Sequence, residues 1–345
     1  MNQIKLNNRI IGDTEPCFII AEIGINHNGS IDTAKDLIDI AASAKVDAVK
    51  FQTFKAENLL SNEICIPSNV KSLDSYLEIV KQQELPYNCY KELVRYSKSK
   101  NLFFISSPFD FEAVDILVDS GIDVFKIASH NINNIPLLRK IASTKFPVII
   151  STGMSTIDEI GKAIWEITSD SNFQIGLLHC ISSYPPKMNQ INLRAIKNLK
   201  IHFGYPVGFS DHSIGIDIAT MAVLSGAKIL EKHITLDKSM NGPDHEISAN
   251  PEELRMLVEK IREFEMACGD GIKEVKECEQ TMRKTLRLSL VASRNIEADE
   301  ELTDNNLCVK RPATGISPAM YYSVLGRRTK KFIARNNVIH DEDIK

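Results

Sequence analysis

The stretch that decides the fold is Pro206–His233, PVGFSDHSIGIDIATMAVLSGAKILEKH. An apolar run closing on His212 leads through a helix-like segment to a second apolar run closing on His233. Strand, helix, strand is the unit of a parallel sheet, because parallel neighbours need a crossover. The same unit recurs upstream. The runs FIIAE, DAVKFQ, LFFISS, DVFKIA, PVIIST and QIGLLH deliver Glu22, Lys50 with Gln52, Ser107, Lys126, Ser151 and His179. Eight such runs, helix-like stretches separating nearly all of them, predict an α/β fold, the closed (β/α)8 TIM barrel. Its chemistry gathers where the strands end.

Side chains alternate across a strand. Glu22 therefore shares a face with Phe18 and Ile20, Lys50 and Gln52 with Ala48, Lys126 with Val124, and Glu231 and His233 with Ile229. A charge on the opposite face would lie beneath the helices without a partner, which is costly. These polar residues are expected to face the barrel mouth.

The chain has 345 residues, 43% hydrophobic and 25% charged, with net charge −4. A barrel takes roughly 250 residues, which leaves room for a small second domain. The expected organisation is a barrel over 1–268, a charged linker over 269–284 and a compact, mostly β domain over 285–345. A domain of about 60 residues has a marginal core, so docking on its own or another subunit's barrel is expected to stabilise it. No basic stripe marks a nucleic-acid partner. Arg327, Arg328, Lys330 and Lys331 read as solvated surface. The opening MNQIKLNNRIIGDTEP lacks the apolar centre of a signal peptide, and no run approaches the ~20 residues of a membrane span. Seven dispersed cysteines without a C-x-x-C pair suggest reduced thiols and a cytoplasmic protein.

His212 and His233 end the last two runs. Two imidazoles, a carboxylate and open positions suit a divalent transition metal. Glu22, on the strand beside the last in a closed barrel, can supply the carboxylate, with Asp211 and Glu231 as rivals. The alternative is two histidines that merely hydrogen-bond at strand ends. Lys50 and Lys126, with Ser107, Ser129 and Ser151, suit a phosphate or carboxylate. A Schiff-base lysine or a structural ion pair would use the same lysines. The loop Gly24–Gly29 reads only as a turn, and Asp244 either holds a sugar hydroxyl or caps its own turn. Walker, G-x-G-x-x-G and G-x-S-x-G motifs are absent, which weakens nucleotide and serine-hydrolase readings.

The segments AEIGINHNGS, VKFQTF, FISSPFD, FKIAS, STGMSTIDEI, LHCISSYP, GFSDHSIG, LEKHITLDKSMNGPDH and VKRPATGISP resemble the sialic acid synthase family along nearly the whole chain. The tail resembles that family's antifreeze-like (SAF) domain. The resemblance implies condensation of phosphoenolpyruvate with an open-chain N-acyl hexosamine such as N-acetylmannosamine, with C–O cleavage and release of phosphate. It implies a divalent metal on His212 and His233 with Glu22 beside it; manganese is the first choice, and magnesium and cobalt are alternatives. Lys50, Gln52, Ser107, Lys126, Ser129 and Ser151 would bind phosphoenolpyruvate. Asn69, Tyr184 and Asp244 would line the sugar side. It further implies a homodimer in which one chain's SAF domain caps the other's barrel and Arg311 reaches the sugar.

Two positions depart from the neuraminate pattern. Asn131 stands where a glutamate is common, and Ser182 where an asparagine is common. A modified acceptor, a 2,4-diacylamino-6-deoxy sugar leading to legionaminate, is therefore a rival to N-acetylmannosamine. Other readings are a Schiff-base pyruvate aldolase and a non-catalytic carbohydrate-binding protein, although retention of Glu22, both lysines and both histidines argues against the latter.

Overall fold

Asn7 and Asn8 turn the chain between β1 (Ile4–Leu6) and β2 (Arg9–Ile11), with Asn7 at φ 41°. Asparagine tolerates the left-handed backbone of such a two-residue turn. The computed structural model describes residues 2–61, 63–64, 72–169 and 173–345. Next in the chain come β3 (Phe18–Gly24), β4 (Ala48–Thr53), β5 (Phe103–Pro108), β6 (Val124–Ile127), β7 (Val148–Ser151), β8 (Ile175–Cys180), β9 (Val207–Asp211) and β10 (Ile229–His233). They close a parallel barrel in the order β10-β3-β4-β5-β6-β7-β8-β9. The eight-stranded barrel expected from the apolar runs is the observed fold.

Helices return the chain between strands, and polar caps mark where they begin. The Ser30 hydroxyl accepts from Thr33 N at 3.2 Å and starts helix Ile31–Ser43. Thr156 and Glu159 cap helix Ile157–Thr168 reciprocally. Outward strand residues such as Ile19, Val49, Phe104 and Phe125 pack with helix residues in the main core. Inward residues Phe18, Ile20, Ala48, Ile105, Val124, Ile149, Leu178 and Ile229 form a second core with Ile4, Leu6 and Ile11. The β1–β2 hairpin thus fills the barrel interior, an element the sequence reading passed over. Asp47 joins three elements near the strand starts. Its carboxylate accepts from Ile19 N at 2.8 Å, Arg9 Nε at 3.1 Å and Arg262 Nη2 at 3.0 Å.

The contacts divide the chain into the units Met1–Cys268 and Gly269–Lys345. In the second, β11 (Ser289–Ala292) pairs antiparallel with β12 (Leu307–Lys310) over a small core that includes Leu290, Leu302, Ile333 and Ile339. The charged run over 269–284 carries a 3-10 turn, Glu277–Glu279, and the start of an exposed helix, Gln280–Leu286.

Gly208 lies on the inward face of β9, where a Cβ would sit 2.0 Å from the backbone oxygen of Ile229. A backbone oxygen on a paired strand cannot swing aside as a side chain can. Gly208→Ala is expected to destabilise the barrel by about 3 kcal/mol or more. Gly161, inside helix Ile157–Thr168, meets only Phe203 Cε1 at 3.8 Å. Gly161→Ala is expected to stabilise by about 0.5–1 kcal/mol. Urea titrations of both variants check the opposite signs.

Candidate active site

Parallel register sets the site. His233 pairs with Glu22, and Glu22 pairs with Lys50, so adjacent strands bring these groups to one level of the barrel. Above the inward apolar layer lies a cavity of about 280 Å³. Glu22, Lys50, Gln52, Lys126, Ser129, Ser151, Ser182, Tyr184, His212, His233 and Asp244 line it, together with Phe109, Ala128, His130, Met154, Cys180, Ser210 and Glu231.

Two ion pairs form its floor. Lys50 Nζ lies 2.8 Å from Glu22 Oε1, and Lys126 Nζ lies 3.0 Å from Glu231 Oε1. All four residues are at most 4% exposed. Gln52 Nε2 also donates to Glu22 Oε1 at 3.1 Å, and the Ser210 hydroxyl donates to Glu231 Oε1 at 2.7 Å. Burial, the largest influence, lifts the Glu22 carboxyl to about 7 against the pull of Lys50. Burial also raises Glu231, but Lys126, Lys50 and the Ser210 hydroxyl outweigh it and hold that carboxyl at about 2. Burial lowers the Lys126 ammonium, whereas Glu22 and Glu231 keep Lys50 above its ordinary value despite burial. One carboxyl can thus exchange a proton near neutrality while its neighbour stays an anion, a division of labour typical of acid–base sites. Glu22 Oε2, Glu231 Oε2 and the hydroxyls of Ser107 and Ser151 are buried without a hydrogen-bond partner among the described residues. Buried polar atoms left open at one site are what a ligand-binding floor requires.

The two histidines lie beside this floor, His233 on the same strand as Glu231, with ring centroids 5.6 Å apart. His212 Nδ1 lies 2.8 Å from the carbonyl of Ile181, which can only accept, so Nδ1 carries the proton and Nε2 keeps its lone pair. Burial brings both rings down to about 4, so both are neutral near pH 7. Tyr184 packs on His212 at 4.1 Å between centroids. Neutral imidazoles with free lone pairs are metal donors. Among the described residues no three His, Cys, Asp or Glu side chains converge as a ready-made metal cluster. The two imidazoles are donors of the kind a divalent ion takes, which would leave its remaining positions to carboxylate, water or substrate.

Several expected residues lie elsewhere. Asp211, a rival metal carboxylate, points outward and pairs at 2.8 Å with the fully buried Lys232. That pair meets the need for a partner that an outward charge creates. His179 is also outward, with Nε2 2.7 Å from the carbonyl of Ile191, and Cys180 takes the inward place. Ser107 is on the inward parity of β5 but does not line the cavity. Asn131 is buried against His130 and Asn134, while His130 itself lines the cavity, edge-on to Phe109 at 4.8 Å. Asn69 lies outside the described residues. Arg311 is exposed in the second unit, directly after β12. Sequence reasoning gave Ser210 no role, although it shares inward parity with His212. Phe109 and Met154 lie within the quoted segments FISSPFD and STGMSTIDEI but, like His130, have no role in the sequence reading.

Over residues 37–273 the chain matches the NeuB family, and over 287–345 the SAF domain. It is 44% identical to the N,N'-diacetyllegionaminic acid synthase of Campylobacter jejuni, covering 95% of this chain and 98% of that one. It is 36% identical to the human N-acetylneuraminate-9-phosphate synthase, covering 97% and 94%. A crystal structure of the N-acetylneuraminic acid synthetase of Leptospira borgpetersenii, in complex with citrate, superposes with a TM-score of 0.74 at 38% identity, covering 81% of this chain and 94% of that one. Barrel, polar cavity and C-terminal unit agree with these likenesses: the chain belongs to the NeuB family, is an enzyme of that family's phosphoenolpyruvate-dependent condensing type, and carries a SAF domain.

Proposed function

We propose that the chain condenses phosphoenolpyruvate with an open-chain N-acyl hexosamine to give a nonulosonic acid and phosphate. The observation that carries this reading is the buried floor of Glu22–Lys50 and Glu231–Lys126, its open oxygens facing the same cavity as two neutral imidazoles. Lys50 and Lys126 would draw the phosphate and carboxylate of phosphoenolpyruvate, with the hydroxyls of Ser129 and Ser151 and the amide of Gln52 completing the cradle. A Cβ on Gly153 would come 2.4 Å from Ser182 Oγ and 2.8 Å from Ser129 Oγ, so only glycine leaves that wall of the cradle open. His212 and His233, with Glu22 nearby, would hold a divalent metal, manganese by preference, which when bound supplies Lewis-acid polarisation of the sugar aldehyde. Carbon 3 of phosphoenolpyruvate then bonds to the aldehyde carbon. Water adds at carbon 2, the C–O bond to the phosphoryl group breaks, and phosphate leaves. Glu22, poised near neutrality, would exchange the proton this sequence requires.

On the acceptor side, Phe109, His130 and Met154 form a wall with no carboxylate among them, which leaves Asp244 as that side's acid among the described residues lining the cavity. With the 44% identity to the legionaminic acid synthase, this favours a 2,4-diacetamido-6-deoxy acceptor over N-acetylmannosamine. A dimer in which the SAF unit of one chain caps the barrel of its partner would bring Arg311 to the sugar.

Phosphate release from phosphoenolpyruvate tests the reaction. We expect turnover only with manganese or a similar ion and an aminosugar, faster with the diacetamido sugar, and abolished by EDTA. Metal-independent turnover would sink the mechanism, and silence with every aminosugar the substrate class. A pyruvate adduct trapped by borohydride on Lys126 or Lys50 without metal would replace it with Schiff-base chemistry. Arg311→Ala is expected to raise the KM for the sugar about tenfold, the loss of one charged hydrogen bond, with the melting temperature unchanged. An unaltered KM would refute its role.

A further inference from the structure

The loop between β3 and helix Ile31–Ser43 buries Asn26 at 1% exposure. Its Nδ2 donates to the carbonyl of Ile234 at 2.8 Å and to Ser248 Oγ at 2.9 Å. A carbonyl only accepts, so the amide must present its nitrogen here. Ser248, itself fully buried, passes its proton on to the backbone carbonyl of Asp244 at 2.5 Å. Ile234 directly follows His233, and Asp244 Oδ2 lies 3.6 Å from His233 Nδ1. The segment between them is closed at its base, where Ala249 N donates to the carbonyl of His233 at 2.7 Å and Thr235 N to that of Ala249 at 3.0 Å. One carboxamide therefore touches both the strand end that carries His233 and, through one hydroxyl, the residue that faces its ring.

We propose that Asn26 and Ser248 are positioning residues: they set the Asp244 carboxylate against His233, so that the loop after the first barrel strand fixes the imidazole at the end of the eighth. This rests on the synthase reading of the site. Asp244 is 15% exposed at its side chain and follows Gly242, at φ +152°, and Pro243. A second tie runs beside the first. Thr235 Oγ1 meets His245 Nδ1 at 2.7 Å, and Asn28 donates to the carbonyl of Asn241 at 3.0 Å. These bonds hold the turn on either side of Asp244, whereas the Asn26–Ser248 link reaches the Asp244 backbone itself.

Manganese binding to the full-length protein, followed by the loss of the free-ion EPR signal, tests the proposal beside steady-state kinetics. Ser248→Ala removes one hydroxyl from the link, and Asn26→Asp removes both donors while keeping the shape. For each we expect manganese affinity to fall about tenfold, as outer contacts of metal-binding histidines generally require. The KM for the aminosugar should rise with it, while that for phosphoenolpyruvate stays unchanged. Ser248→Ala added to Asp244→Ala should cost nothing further, because both act through one carboxylate, and Ser248→Thr should restore binding. Wild-type affinity in both variants, an equal rise in both KM values, or additive losses would overturn the proposal alone. A wild-type protein that binds no manganese would overturn the synthase reading and this proposal with it.

Discussion

Two ion pairs buried in the barrel mouth constrain the rest of the structure. Removing four charges from water is expensive, and a buried pair seldom stabilises a fold more than apolar residues of the same size would. Glu22–Lys50 and Glu231–Lys126 nonetheless sit where the inward apolar layer gives way to the cavity. Everything below them compensates. The β1–β2 hairpin fills the interior with Ile4, Leu6 and Ile11, and Asp47 ties that hairpin to β3 and the last barrel helix. The floor stays rigid because the barrel beneath it is solid.

Parity made much of this legible in the sequence. A two-residue period places Glu22, Lys50, Lys126, Glu231 and His233 on one face, and the structure puts all five on the cavity. The same reasoning shows why other residues misled. Asp211 and Lys232 neighbour two inward histidines, and each turns outward by one residue of register into a buried pair that no local pattern announces. His179 ends its run as His212 and His233 end theirs, yet a single step of parity sends it to the carbonyl of Ile191. The hairpin was missed because three-residue strands are too short to show a period. Asn131 stands at a motif position, but in the 3-10 turn Ser129–Asn131 it is buried against His130 and Asn134, and His130 is the residue on the cavity.

The two sides of the cavity differ in how they are built. The side proposed for phosphoenolpyruvate rests mainly on strand residues, Lys50, Gln52, Lys126 and Ser151, whose positions follow from register. The side proposed for the sugar rests on loops: Ser182 and Tyr184 after β8, Asp244 after β10, Phe109 after β5. Loops tolerate change more readily than paired strands do. The Asn26–Ser248 link belongs to this second layer, where a motif that reads only as a turn places a distant carboxylate.

If the buried pairs serve the substrate rather than the fold, exchanging one for apolar residues should separate the two properties. The most direct measurement is phosphoenolpyruvate affinity and urea stability in the double variant Lys126→Met with Glu231→Leu. Stability is expected to hold or to rise by about 1–4 kcal/mol, with phosphoenolpyruvate binding lost. Loss of stability with phosphoenolpyruvate binding intact would contradict the role assigned to the floor.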